Sequence, residues 1–291
     1  MKSFFLMVAV STFLSYTALG HGGHSTVEHR DHASEITTPS PFSKFGISAD
    51  LRPSLGVSGA SFFDNEIGLS YFFSPKISAA YNQRFQLTLK STEAEHEEGP
   101  DFHEHHDGFL QFNIDDIASI GSAEVAYEAR VFTPTSELKR NRGFITALAN
   151  FAKVTIPISS WFSLCISEGP VLHSFSKSEY AGADEMVSNP LLENRFSMSF
   201  DFSLFSNKVR FSLPIFWHEF YHYSSQQNAK FAGQWSHAIW VSPEIVYKLS
   251  STMNIGLSYH SENLLSDYSY TLGMLDGLSG GVFQLVYQVR L

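Results

Sequence analysis

The sequence predicts an all-β fold, an antiparallel transmembrane β-barrel of about twelve strands. Three observations predict it. Apolar and polar residues alternate with period two from residue 44 onward. The alternating segments are long: a tilted membrane strand needs about nine to eleven residues, whereas soluble strands average about five or six. The links between them alternate between tight and long, as they do in a barrel with turns at one rim and loops at the other.

Segment 1–20 reads as a secretory signal. Lys2 gives the positive start, 4–13 is an apolar run, and Ala18-Leu19-Gly20 puts small residues where a signal peptidase cuts, so cleavage is placed after Gly20. The run is too short to cross a bilayer core of about 30 Å as a helix. Segment 21–43 follows as a His-rich periplasmic tail, and 44–291 is the barrel. The single cysteine, Cys165, excludes an internal disulfide. Charged residues make up 16% of the chain and aromatics 15%. An ordinary soluble protein carries about 25% charged residues. A surface so poor in charge faces something apolar, and lipid fits.

Strands are expected near 44–56, 63–73, 76–91, 108–118, 121–134, 143–156, 161–176, 191–205, 208–222, 234–249, 253–266 and 280–291. Tight turns fall at Ser74-Pro75, Ile120-Gly121, Ser159-Ser160, Ser206-Asn207 and Ser250-Ser251, and outer loops at 57–62, 92–107, 135–142, 177–190, 223–233 and 267–279. Parity assigns the faces. In 76–91, Ile77, Ala79, Tyr81, Phe85, Leu87 and Leu89, with Gln83 as the exception, oppose Ser78, Asn82, Arg84, Gln86, Thr88 and Lys90. In 191–205, Phe196, Met198, Phe200, Phe202 and Leu204 oppose Arg195, Ser197, Ser199, Asp201 and Ser203. A base on the lipid side at mid-membrane costs about 2–4 kcal/mol, so the charged faces turn inward. Strand 143–156 can present either face. Aromatics cluster near strand ends, at Tyr71 to Phe73, Trp161-Phe162, Trp217, Phe220, Tyr221, Tyr223, Trp235 and Trp240, as in interfacial girdles. His173 and His237 are expected near an interface, and His218 and His222 near the outer rim.

In the final strand Phe283, Leu285, Tyr287, Val289 and Leu291 alternate with Gln284, Val286, Gln288 and Arg290. This resembles the C-terminal signal of bacterial outer-membrane β-barrel proteins, which departs from Leu291 in usually ending on Phe or Trp. The resemblance implies the Gram-negative outer membrane, its lipids and the barrel-assembly machinery as surroundings and partners, in a porin-like superfamily. It identifies no specific family.

The residues expected to line the lumen are Asp50, Arg52, Arg84, Glu124, Glu128, Arg130, Arg195, Asp201, Arg210 and Glu244. Acids and bases are balanced, unlike the one-signed linings of strongly selective channels. Twelve strands lie between barrels filled by side chains and open channels. The expected function is a narrow, porin-like channel for small polar solutes or ions. A non-conducting structural or surface-interaction barrel is the alternative, and an outer-membrane hydrolase the second.

The net charge of −10 is concentrated. Segment 91–108 holds Glu93, Glu95, Glu97, Glu98, Asp101, Glu104 and Asp107 with no Lys or Arg, together with His96, His103, His105 and His106. A second cluster, His21, His24, His29 and His32, lies in the tail. Neutral imidazole with carboxylates suits Zn²⁺, Cu²⁺ or Ni²⁺. The loop histidines are therefore candidate ligands for a weakly bound metal, and no other cofactor is implied. The two clusters fall on opposite sides of the membrane. His222-Tyr223-Ser224 and Asn228 superficially resemble the catalytic residues of the outer-membrane phospholipase. That family needs its pair on the lipid side, and His222 shares parity with the inward Arg210. No enzyme is expected, and no basic patch points to nucleic acid.

Overall fold

The computed structural model describes residues 44–56, 61–90, 104–105, 107–181, 186–224, 229–261, 265–266, 271–272 and 281–291. The signal segment 1–20, the tail 21–43, His96, His103, His106 and Asn228 lie outside the described residues.

Long alternating segments become long strands. In chain order they are β1 (Phe45–Gly56), β2 (Ser61–Ser74), β3 (Ile77–Lys90), β4 (Phe109–Ile120), β5 (Ala123–Phe132), β6 (Phe144–Ser159), β7 (Phe162–Phe175), β8 (Pro190–Leu204) and β9 (Val209–His222). Then come β10, in two segments (Trp235–Val241 and Glu244–Lys248), β11 (Met253–His260) and β12 (Val282–Arg290). Each pairs antiparallel with its neighbours in sequence, and β12 pairs with β1, so the sheet closes on itself with twelve strands. At that seam Ile47 and Leu291 exchange both backbone hydrogen bonds, at 2.9 and 2.8 Å. Around the turn-rim half of the ring every described strand is paired on both sides, which is what makes a β-structure tolerable in lipid. Toward the loop rim, Trp235–Val241 pairs with β9 alone. Two-residue strands outside the ring include Glu104–His105, which pairs with β3.

The links follow the predicted alternation. One rim carries tight turns, as between β2 and β3 and between β4 and β5. There Gly121 adopts φ 64°, which costs glycine little. The β8–β9 turn is less ordinary: Phe205, Ser206 and Asn207 all have positive φ, at 51°, 56° and 64°. The opposite rim carries the longer links, including the short helix Glu137–Asn141 between β5 and β6. The predicted strand 234–249 is interrupted at Ser242-Pro243. The first segment of β10 pairs with the upper half of β9 and the second with its lower half. Pro243 has no amide hydrogen to give a ladder.

Side chains sort by parity. Ile47, Leu69, Leu110, Leu148, Leu172, Leu257 and Leu285 are exposed on the outer wall. Rings collect at its two rims. Phe45, Tyr71 and Phe73 contact in sequence at 5.1 and 4.9 Å, and Phe162 stacks on Phe202 at 4.8 Å, at the turn rim. Tyr221 meets Trp235 at 5.3 Å and Tyr259 meets Phe283 at 4.9 Å toward the loop rim. These are the girdles of a membrane barrel. Not every aromatic of the expected belts belongs to them: Phe220 and Trp240 share the inward parity of His218.

The open choice for β6 is resolved. Ala149 stands opposite Arg130 and Phe151 opposite Glu128, so Ala147, Ala149 and Phe151 point inward and Leu148 outward. These residues, with Val125, Phe144 and Val171, form the main buried apolar cluster. Small inward residues leave room for arginines reaching over from adjacent strands.

Candidate functional site: the charged inner wall

Three strands carry an acid two residues before an arginine: Asp50/Arg52, Glu128/Arg130 and Glu193/Arg195. In a strand that spacing puts both side chains on one face. Each pair forms an ion pair on the inner wall.

The first pair anchors a network across the interior. Arg52 clasps Asp50 with Nε and Nη2, both at 2.9 Å. Its Nη1 donates to Glu244 Oε2 at 2.9 Å and Ser258 Oγ at 3.4 Å. Arg210 Nη2 lies 3.7 Å from the other Glu244 oxygen. Gln288 donates to Asp50 at 3.1 Å, and Gln284 to Ser54 at 3.0 Å. Residues of β1, β9, β10, β11 and β12 are thereby tied together on the lumen side.

The second network covers the facing wall. Arg84 pairs with Glu66 at 2.6 Å and lies over the Phe109 ring at 5.3 Å. Arg130, 2% exposed, pairs with Glu128 and sits over Phe109 at 4.7 Å and Phe151 at 5.6 Å. Arg195 lies over Phe151 at 5.9 Å and Phe132 at 5.7 Å. Guanidinium and phenyl groups thus alternate from β3 to β8, an arrangement favoured by attraction between cation and ring. Gln111 donates to Glu128 at 3.1 Å. Opposite Arg195, Gly169 leaves space that nothing larger could use, because a Cβ there would overlap the Asn150 carbonyl and Phe151 backbone.

Glu193 ends this lane. It is 2% exposed and has both oxygens occupied. Arg195 donates at 2.7 and 2.9 Å, His173 Nε2 lies 3.0 Å from Oε2, and His218 Nδ1 lies 2.6 Å from Oε1. His218 packs on Trp240 at 4.4 Å. Three inward groups from β7, β8 and β9 therefore converge on one carboxylate. His173, read from sequence as interfacial, is instead a lumen residue. The parity of β7 puts it inward with Val171 and Ser167, opposite Ala147 of β6.

All ten residues proposed from sequence for the lumen stand on the inner register. Asp50, Arg52, Arg210 and Glu244 belong to the first network. Arg84, Glu128, Arg130 and Arg195 belong to the second. Asp201 accepts from Ser212 at 2.5 Å and Ser199 at 3.0 Å. Glu124, opposite Thr155, is exposed near the turn rim. Sequence reasoning missed Glu193, although it repeats the acid-x-arginine spacing. It also missed Phe109 and Phe151, apolar residues on a polar face.

The phospholipase-like residues are not arranged as a nucleophile and base. His222 Nδ1 meets Ser188 O at 2.8 Å and Nε2 meets Ser236 Oγ at 2.8 Å, so its ring is engaged away from Ser224. Among the described residues no three His, Cys, Asp or Glu groups are placed to hold a metal.

No protein-family model matches the sequence, and no curated protein matches it either. Solved structures do match in shape. The NanC porin superposes with a TM-score of 0.55 at 11% identity, covering 84% of this chain and 100% of that one. An outer-membrane channel from Pseudomonas putida F1 gives 0.54 at 6% identity, covering 85% and 94%. At such identities the likeness is one of fold. The chain is thus a closed twelve-stranded barrel with the fold of outer-membrane porins and channels.

Proposed function

We propose that the protein is a narrow outer-membrane channel for small polar solutes or ions. The observation that carries this reading is the inverted sorting of side chains: an apolar outer wall around a buried lining of Arg, Glu, Gln, Ser and His. A polar interior gives water and polar solutes a path that lipid does not. Because each guanidinium of the lining has an acidic partner, ion preference should be weak and conductance small. The fold shared with the two channels named above supports this reading. Its delivery would use the signal segment 1–20, and the barrel-assembly machinery would recognise β12. The test is single-channel recording in planar bilayers with a reversal-potential measurement. Small, weakly selective steps support a channel, and a silent bilayer with folded protein present overturns it.

The second reading is a non-conducting structural or surface-interaction barrel. The burial of Arg130 between Phe109 and Phe151 favours it, since those groups fill part of the interior. We further propose that His96, His103, His105 and His106 of the acidic loop bind Zn²⁺, Cu²⁺ or Ni²⁺ weakly at the cell surface. The composition of 91–108 supports this.

A further inference from the structure

The outer wall is apolar along most of the ring. Asn65 and Gln83 interrupt it on β2 and β3, where Gln83 bonds Tyr81 Oη, Arg84 O and Thr135 Oγ1. A wider polar sector lies elsewhere. On β5 to β9, Tyr127, Asn150, Glu168, Asn194 and Glu219 all have outward parity, fixed by their pairing with residues such as Ala152, Phe196 and Pro170. Within it Tyr127 donates to Asn150 Oδ1 at 2.8 Å, while Glu219 lies 3.7 Å from His237 Nδ1, beyond hydrogen-bond reach. Glu168 and Asn194 have no hydrogen-bond or ion-pair partner among the described residues. Glu168 stands near the middle of β7, six residues above Phe162 in the turn-rim girdle. At about 3.3 Å per residue and a tilt of about 40°, that is roughly 15 Å into a core about 30 Å thick. A carboxyl there is costly in lipid unless something covers it and supplies hydrogen bonds.

We propose that this sector is the face on which a second copy of the chain docks within the membrane. The choice of occupant follows from the inventory of the outer wall. The strand cations Arg52, Arg84, Arg130, Arg195 and Arg210 all point inward, so no other described sector of this barrel offers a base at mid-height. What complements an outward carboxyl is the amide beside it. Asn194 is the diagonal neighbour of Glu168, through Pro170. A two-fold axis along the membrane normal brings the same patch together from both copies, letting each Glu168 meet the amides of the other. Ala152 beside Glu168 keeps the surface low enough for close approach. The argument rests on the outer wall facing lipid, and not on conduction.

The test is cross-linking in native membranes, in a background where Cys165 is replaced by Ser. Ile166→Cys lies one outward position below Glu168, and Leu51→Cys lies on β1, six strands away. Oxidation should link a large fraction of Ile166→Cys chains into a species of twice the mass, and link Leu51→Cys chains at least ten-fold less. Adding Glu168→Leu with Asn194→Leu should lower the Ile166→Cys dimer several-fold in barrels that still resist urea, whereas Glu168→Gln should retain it. Equal linking at both positions, no linking at Ile166→Cys, or a product of another mass would overturn the proposal. Failure of the protein to sediment with membranes would instead remove the lipid-facing reading beneath it.

Discussion

Arg52 and Glu244 stand on β1 and β10, with β12 and β11 between them, yet their side chains meet at 2.9 Å. The bond is a chord across one side of the barrel, not a rung of the wall. Both groups are buried, at 8% and 3% side-chain exposure. Replacing Arg52 with Leu removes the donor that Glu244 and Asp50 share, leaving Arg210 beside Glu244 and Gln288 on Asp50. A loss of up to about 3–5 kcal/mol in urea unfolding is expected, the upper end being the cost of a buried charge left with no partner. Conductance should rise as the chord is removed. Arg52→Lys should recover only part of the stability, since an ammonium cannot fork. Unchanged unfolding of Arg52→Leu would show that the chord is not formed.

The two walls should answer a charge in opposite ways. Phe200→Arg puts a base on the lipid side two residues inside the turn-rim girdle, at less than the roughly 2–4 kcal/mol of the midplane, and should lower the yield of heat-modifiable barrel. Arg84→Leu should assemble but leave Glu66 unpaired and change conductance. Full-yield assembly of Phe200→Arg together with unchanged conductance of Arg84→Leu would refute the face assignment.

Cys165 is a native reporter of the interior. It stands opposite Thr155 and Ser199 on the inner register. A small charged methanethiosulfonate should reduce single-channel current, whereas a lipid-soluble maleimide added to intact membranes should react slowly. The reverse order of reactivity would place this position outward.

Loop 91–108 should bind metal with modest affinity, because a long loop loses entropy on ordering. Isothermal titration of Zn²⁺ or Cu²⁺ should show heats that vanish when His96, His103, His105 and His106 are Ala. The tail 21–43 is deleted from both samples so that its histidines do not contribute. Binding should weaken below about pH 6.5, since imidazole coordinates only when neutral. Identical heats would reduce the loop to a solvated acidic surface.

The architecture was legible because a strand in lipid has few options: its period, its length and the sorting of its links all leave marks in sequence. Individual charges such as Arg84 and Arg195 could be aimed from parity alone. What parity could not supply was contact between strands distant in the ring. Nothing local to Arg52 indicates Glu244. Strand β6 resisted because Ala147, Ala149 and Phe151 make its inner face as apolar as its outer one. That composition makes sense only once Arg130 and Arg195 are seen to lie over it. Glu193 was overlooked although Asp50-Leu51-Arg52 and Glu128-Ala129-Arg130 had already displayed the same spacing. His173 was misplaced because a lone imidazole on a strand carries no sign of which face it occupies.

The seam where Ile47 and Leu291 exchange bonds joins the first strand of the ring to the twelfth. Until the two meet, each keeps a row of backbone donors and acceptors without a ladder on the seam side. Such an edge can template pairing with another chain. Contacts this remote in sequence also close slowly. A variant weakened at the seam should therefore lose folded barrel to aggregation before it loses any contact in the lumen.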